Sequence, residues 1–150
     1  MAKSVSREIV VNAPASAVFD VLADPTQHQL IDGSETVKGA VSGPPRLYLG
    51  ARFRMRMRMG VPYLIGNQVV EYDEDRAIAW RHLGRHVWRY ELTPVNDEGA
   101  PATRVVETFD WEPALAGAVY EAIGIPKRNA TSMEATLQRL KALVESRTIS

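Results

Sequence analysis

The chain has 150 residues, 45% of them apolar, with 18 basic and 18 acidic side chains and no cysteine. This is the length of one domain, 1–150, with enough apolar content for a sizeable core. The cancelling charge argues against a general polyanion binder, and the missing cysteine excludes disulfides, a thiol nucleophile and thiolate metal sites.

Met1-Ala2-Lys3-Ser4 leads straight into a strand pattern. There is no signal-peptide core and no run of about 18 apolar residues, so a cytoplasmic location without stable membrane insertion is expected. Val5 to Val11 is β-branched enough for a first strand. Asn12-Ala13-Pro14 opens a helix with Pro14 as its first residue and Val18, Phe19 and Leu22 on its buried face. Asp24-Pro25 stops it, because a residue before proline is pushed out of the helical region. Pro25 to Leu30 reads as one further short turn, Glu35 to Val41 as a strand, and Gly43-Pro44-Pro45 as its end.

Ala51 to Gly60 is the clearest strand. Phe53, Met55, Met57 and Met59 alternate with Arg52, Arg54, Arg56 and Arg58, so period two places the arginines on one face and the apolar residues on the other. One oily and one wet face point to an antiparallel sheet. Leu64 to Tyr72 continues it. Ile78, Trp80 and His82 form the next alternating set, followed by Trp88, Tyr90 and Leu92, and then by Val105, Glu107, Phe109 and Trp111. Pro113 to Ile125 is rich in small residues and reads equally as loop or short helix. From Pro126 to about Arg147, Ala130, Met133, Leu137, Leu140 and Val144 recur at three- and four-residue spacing, which is one stripe along a helix roughly 30 Å long. Strands and helices are segregated along the chain, so the fold class is α+β.

A sheet curved around one long helix leaves a gap, which is the default ligand site. The methionines 55, 57 and 59 suit a lining for flexible apolar ligands. Trp80, Trp88, Tyr90, Phe109 and Trp111 suit a flat or ring-containing one, although plain core packing explains them about as well. Glu107 is the sharpest candidate, because the period that turns Phe109 and Trp111 inward takes it with them; the competing register would instead turn Asp110 inward with Val106 and Thr108. A wet strand end, or an ion pair with Arg104 or Arg128, is the rival reading of this carboxylate. An inward carboxyl could orient a ligand or act as general acid or base with Tyr90 or His82. His86 falls at a hairpin turn and is expected to be exposed. With His28 and His82 it matches no metal spacing, so no metal is expected. The arginine stripe invites a nucleic-acid or anionic-membrane reading. Zero net charge and the absence of interleaved aromatics favour a solvated face, its arginines paired with acids such as Glu71 or Glu91, and no nucleic-acid partner. No nucleophile elbow, P-loop, dinucleotide fingerprint or His-Glu-x-x-His occurs, and no cofactor is expected.

The segments VNAPASAVFDVLADP (11–25), GARFRMRM (50–57), WRYELTPV (88–95), TRVVETFDW (103–111) and LQRLKALVE (137–145) are spread from residue 11 to residue 145 in a telling order. Through them the sequence resembles the START-like, SRPBCC or helix-grip superfamily, and within it the bacterial polyketide cyclase/dehydrase-like branch. The resemblance implies a seven-stranded antiparallel sheet wrapped around the C-terminal helix, with a deep apolar cavity. It implies a small hydrophobic ligand of lipid, polyketide or aromatic type, and the residues expected to line its site are Met55, Met57, Met59, Trp80, His82, Trp88, Tyr90, Glu107, Phe109, Trp111 and Tyr120. The alternative it implies is a cyclase or dehydratase working by acid–base catalysis in the same cavity. The family has no universal catalytic motif, so no catalytic position is transferred. A regulatory homodimer with a vestigial cavity is the third reading.

Overall fold

The computed structural model describes residues 4–33, 37–59, 61–82, 86–97, 99–111 and 125–148, with the backbone alone described at 40, 41, 59, 63, 97, 125–128 and 148. The elements in order are β1 (Ser4–Val11), α1 (Ala15–Leu22), a single 3-10 turn (Pro25–Gln27), α2 (His28–Ile31), β2 (Val37–Ser42), β3 (Arg52–Met59), β4 (Val61–Asp73), β5 (Ala77–His82), β6 (Val87–Asp97), β7 (Ala100–Asp110) and α3 (Ile125–Thr148). The expected loop or short helix over Pro113 to Ile125 lies outside the described residues up to 124, and Ile125 already belongs to α3.

All seven strands join one antiparallel sheet, in the order β1-β7-β6-β5-β4-β3-β2. Strands β2 to β7 form a meander, and β1 closes onto β7. Register shifts interrupt β2 against β3 and β4 between Val69 and Glu71. Bulges of this kind bend a strand and increase its twist, which helps the sheet curl into a half-barrel.

Pro14 is the N-cap of α1, one position before its expected place. Its ψ of 153° is extended, and its carbonyl accepts from the N–H groups of Ala17 and Val18. At the other end Asp24 is extended, as its following proline requires, and its carboxylate accepts from the Thr26 N–H at 3.0 Å to start the 3-10 turn.

The alternation on β3 holds: Phe53, Met55 and Met57 are buried, while Arg52, Arg54, Arg56 and Arg58 are exposed. The expected acidic partners of that stripe are corrected. Glu71 and Glu91 both accept from Arg89, at 2.7 and 2.9 Å, and among the described residues none of the four stripe arginines forms an ion pair. Register explains this. The stripe lies opposite Ser42, Pro62, Leu64, Gly66 and Gln68, none of them acidic, whereas Ala79 lies between Glu71 and Arg89 and is small enough for the guanidinium to reach over it.

The stripe of α3 is fully buried at Ala130, Met133, Leu137, Leu140 and Val144. Polar contacts fix the helix along both sides. Toward β1, Arg7 pairs with Glu134 at 2.9 Å, Lys141 donates to the Val10 carbonyl at 2.9 Å, and Glu145 accepts from the Asn12 N–H at 2.8 Å. Toward α2, Arg139 donates to the Asp32 carbonyl and Gly33 N–H to Thr136 Oγ1, at 2.6 and 2.8 Å. Gly33 approaches so closely that a Cβ there would lie 2.4 Å from the Ser132 carbonyl oxygen. Among the described residues no helix is long and apolar enough to cross a membrane.

Leu140→Ala is expected to cost about 2–5 kcal/mol in urea unfolding, from lost transfer energy plus a cavity. A loss below about 0.5 kcal/mol would place the stripe at the surface. Gly33→Ala should also destabilise, by about 1–3 kcal/mol, since its methyl must push the α2 end away from α3. Unchanged unfolding in that variant would contradict the close contact.

Candidate ligand site on the inner face of the sheet

Cross-strand partners share a face, so the register reads out the inner surface row by row. One row runs Glu107, Tyr90, Ile78 and Tyr72 across β7, β6, β5 and β4. The next runs Phe109, Trp88, Trp80 and Val69, and a further one joins His82 to Asn67 and Phe53. Glu107 therefore points inward. Thr108 is turned outward, where its hydroxyl meets that of Ser6 at 2.8 Å, and Arg104 pairs with Glu8 at 3.8 Å rather than with Glu107. The Arg128 side chain lies outside the described residues.

Glu107 is 2% exposed and Tyr90 4%. The Tyr90 hydroxyl donates to Glu107 Oε2 at 2.8 Å, and among the described residues the buried Glu107 Oε1 has no hydrogen-bond partner. Burial pushes the Glu107 carboxyl up to about 8. The Tyr90 hydrogen bond opposes that rise and the Asp32 carboxylate adds to it. Tyr90 is itself held well above the usual phenol range, by burial first and then by the neighbouring Glu107. At neutral pH the pair is thus mostly a carboxylic acid beside a phenol, with both protons retained.

The aromatics divide into two groups. Trp80 is buried against Phe53 (ring centres 5.8 Å apart), Tyr90 (5.6 Å) and His28, whose ring stacks on it at 4.9 Å. Phe109 and Trp111 pack with Met133 of α3 and with half-buried Trp88. Met55 and Met57 are buried on the inner face. The Met59 side chain and Tyr120 lie outside the described residues.

The structure brings Glu107 and Tyr90 together and sets His82 apart, four residues or about 13 Å along β5 from their row. His86 is half-buried, which corrects the expectation of exposure. Its ring lies 4.5 Å from that of His82 and 5.2 Å from that of Phe109. Burial lowers both histidines, His82 to about 3 with help from His86, and His86 to about 4, so both are neutral imidazoles near pH 7. Among the described residues no group of three His, Asp or Glu converges as for a metal.

Two residues escaped the sequence reading. His28 is buried with Nε2 donating to the Leu22 carbonyl at 2.9 Å, and burial lowers its pKa. Asn67 is 7% exposed with Oδ1 unpartnered. A polar residue between Ile65 and Val69, at an inward position of an apolar alternation, was the available signal for Asn67. Two surface clefts lie elsewhere. One, of about 440 Å³, includes Asp20, Asp24, Arg46 and Arg147, and one of about 410 Å³ includes Pro14, Pro94 and Pro101. Neither reaches Glu107.

A seven-stranded antiparallel half-barrel closed by a long C-terminal helix is the helix-grip fold. The chain belongs to the polyketide cyclase / dehydrase and lipid transport family, whose profile matches residues 2–145. Protein Rv0088 of Mycobacterium tuberculosis is 38% identical over 143 residues, covering 91% of this chain and 62% of that protein, so the chain spans less than two thirds of the relative's length. Among solved structures, protein NE0264 from Nitrosomonas europaea superposes with a TM-score of 0.72 at 13% identity, over 98% of this chain and 97% of that one. The Zhui aromatase/cyclase from Streptomyces sp. R1128 does so with a TM-score of 0.69 at 21% identity, over 97% and 94%. At these identities the two solved structures share the fold.

The raised pKa of Glu107 has a definite sign. The folded state keeps a proton that the unfolded chain releases near 4.5, so this stabilisation is full below that pH and is lost progressively as pH rises through about 8. Wild-type stability should therefore fall between those limits relative to Glu107→Gln, by several kcal/mol in order of magnitude. Side-chain carboxyl NMR of the free protein should titrate Glu107 near 8; a midpoint below about 4 would show an ionised, paired carboxylate.

Proposed function

We propose that the chain binds a small hydrophobic ligand between the inner sheet face and α3, with Glu107 and Tyr90 as its polar anchor. The observation that carries this reading is Glu107 Oε1, a buried polar atom with no hydrogen-bond partner among the described residues. An unmet hydrogen-bonding group of this kind costs stability, and a ligand hydroxyl or carbonyl would satisfy it. Trp80, Trp88, Phe109 and Trp111 supply aromatic surface near that anchor, and Met55 and Met57 extend the apolar face across β3. His82 belongs to the same proposed lining. The family's association with lipid transport and polyketide chemistry agrees with such cargo.

The second reading is an enzyme, a cyclase or dehydratase acting on a polyketide-like substrate. It rests on the carboxyl near 8, which holds a proton at neutral pH and lies close enough to that pH to give it up and take it back. Tyr90 would orient the acid, and Asp32 is the nearby carboxylate that opposes its ionisation.

Native mass spectrometry of the protein purified from its own host tests the first reading. A small apolar mass should accompany the wild type and be depleted in Glu107→Leu. A wild type that carries no such mass, and takes up no lipid, sterol or polycyclic phenol offered in titration, would end the reading. Turnover of polyketide substrates that persists unchanged in both Glu107→Gln and Tyr90→Phe would exclude the acid–base role.

A further inference from the structure

Among the described residues two buried side-chain polar atoms lack a hydrogen-bond partner. One is Glu107 Oε1 and the other is Asn67 Oδ1. They lie on the same inner face but in different places. Asn67 is on β4, opposite Phe53 on one side and His82 on the other, with Ile65 and Val69 at the adjacent inward positions of its own strand. An amide oxygen in such surroundings loses its water and gains nothing from the protein, so it weakens the free fold. A second buried polar group without a partner on the same face gains its missing hydrogen bond only when a ligand packs against it.

We infer that Asn67 is a second polar anchor of the proposed ligand site, and that the ligand is an elongated apolar molecule with a hydroxyl at each end. The inference rests on the ligand reading above and narrows it. Register gives the spacing. The rows of Asn67 and Glu107 are four residues apart along β5, about 13 Å, and their strands are three spacings apart, about 14 Å, along a sheet whose curl shortens the direct path. Between the two acceptors lies the row of Trp80, Trp88 and Phe109, which gives the body of the molecule an aromatic bed. A hydroxyl suits both ends. It donates to Asn67 Oδ1, and it can donate to or accept from Glu107, whose other oxygen is occupied by Tyr90.

Flexible α,ω-alkanediols of increasing length, each compared with the 1-alkanol of the same length, test this by titration of the intrinsic tryptophan fluorescence. In the wild type the diol should bind more tightly than its alkanol, by roughly three- to tenfold for one hydrogen bond, with the preference greatest at one chain length. Asn67→Leu should abolish the preference while still binding the alkanols. Its free form should be at least as thermally stable as the wild type, because it removes an unsatisfied amide. The inference is overturned if diols and alkanols bind the wild type alike, if Asn67→Leu keeps the preference, or if free Asn67→Leu melts at a lower temperature, which would make the amide structural. If neither series binds the wild type at any length, the ligand site itself falls, and this second anchor with it.

Discussion

The apolar stripe of α3 sets the terms for the remainder of the chain. It must be covered along a rod of 24 residues, and a flat sheet would touch a cylinder along only one line. Bulges in β2 and β4 help bend the sheet, and β1 and the end of α2 fasten the two sides of the helix. The fastening is polar and specific, whereas the contact along the stripe is apolar and adaptable. The helix is therefore held in register by its edges, and its buried line is free to meet whatever the inner sheet presents.

The inner sheet presents a mixture that a simple core would avoid. Val105, Leu92, Ile78 and Phe53 are ordinary packing, but a carboxyl, a phenol and an amide sit on the same surface. The electrostatics follow from burial: a carboxylate that cannot be solvated keeps its proton, and a phenol bonded to it keeps its own. Imidazoles on the same face are neutral for the same reason. The interior thus holds hydrogen-bonding groups with almost no net charge at neutral pH, which suits an uncharged ligand better than a salt.

Much of this was legible in the sequence, because it depends on periodicity. Period two placed Phe53, Met55 and Met57 inside and four arginines outside, and the aromatics at 109 and 111 carried Glu107 inward with them. The three-four spacing of α3 identified its buried residues one by one. What was not legible depends on contacts far apart in the chain. His86 looks exposed beside a turn until Phe109 is seen packed against it. Glu71 looks like a partner for the arginine stripe until the register puts Ala79 and Arg89 across from it. His28 lies on a single turn of helix too short to show a periodic face, and its burial comes from Trp80 and Phe53.

The convex face has a consequence of its own. On β2 and β3 the chain carries Lys38, Arg52, Arg54, Arg56 and Arg58 with no acid between residues 36 and 70, while Arg46 of the same span is paired with Asp20 and Glu74. Over the end of β4, β6, β7 and β1 the charges instead occur in pairs, Arg89 with Glu71 and Glu91, and Arg104 with Glu8. A net charge of zero therefore describes an electric dipole and not a neutral surface. In an electric field at its isoelectric point such a molecule turns without drifting. At low ionic strength, before mobile salt shortens the reach of these charges, its arginine flank will face any negatively charged support while the molecule as a whole has no charge to bring it there.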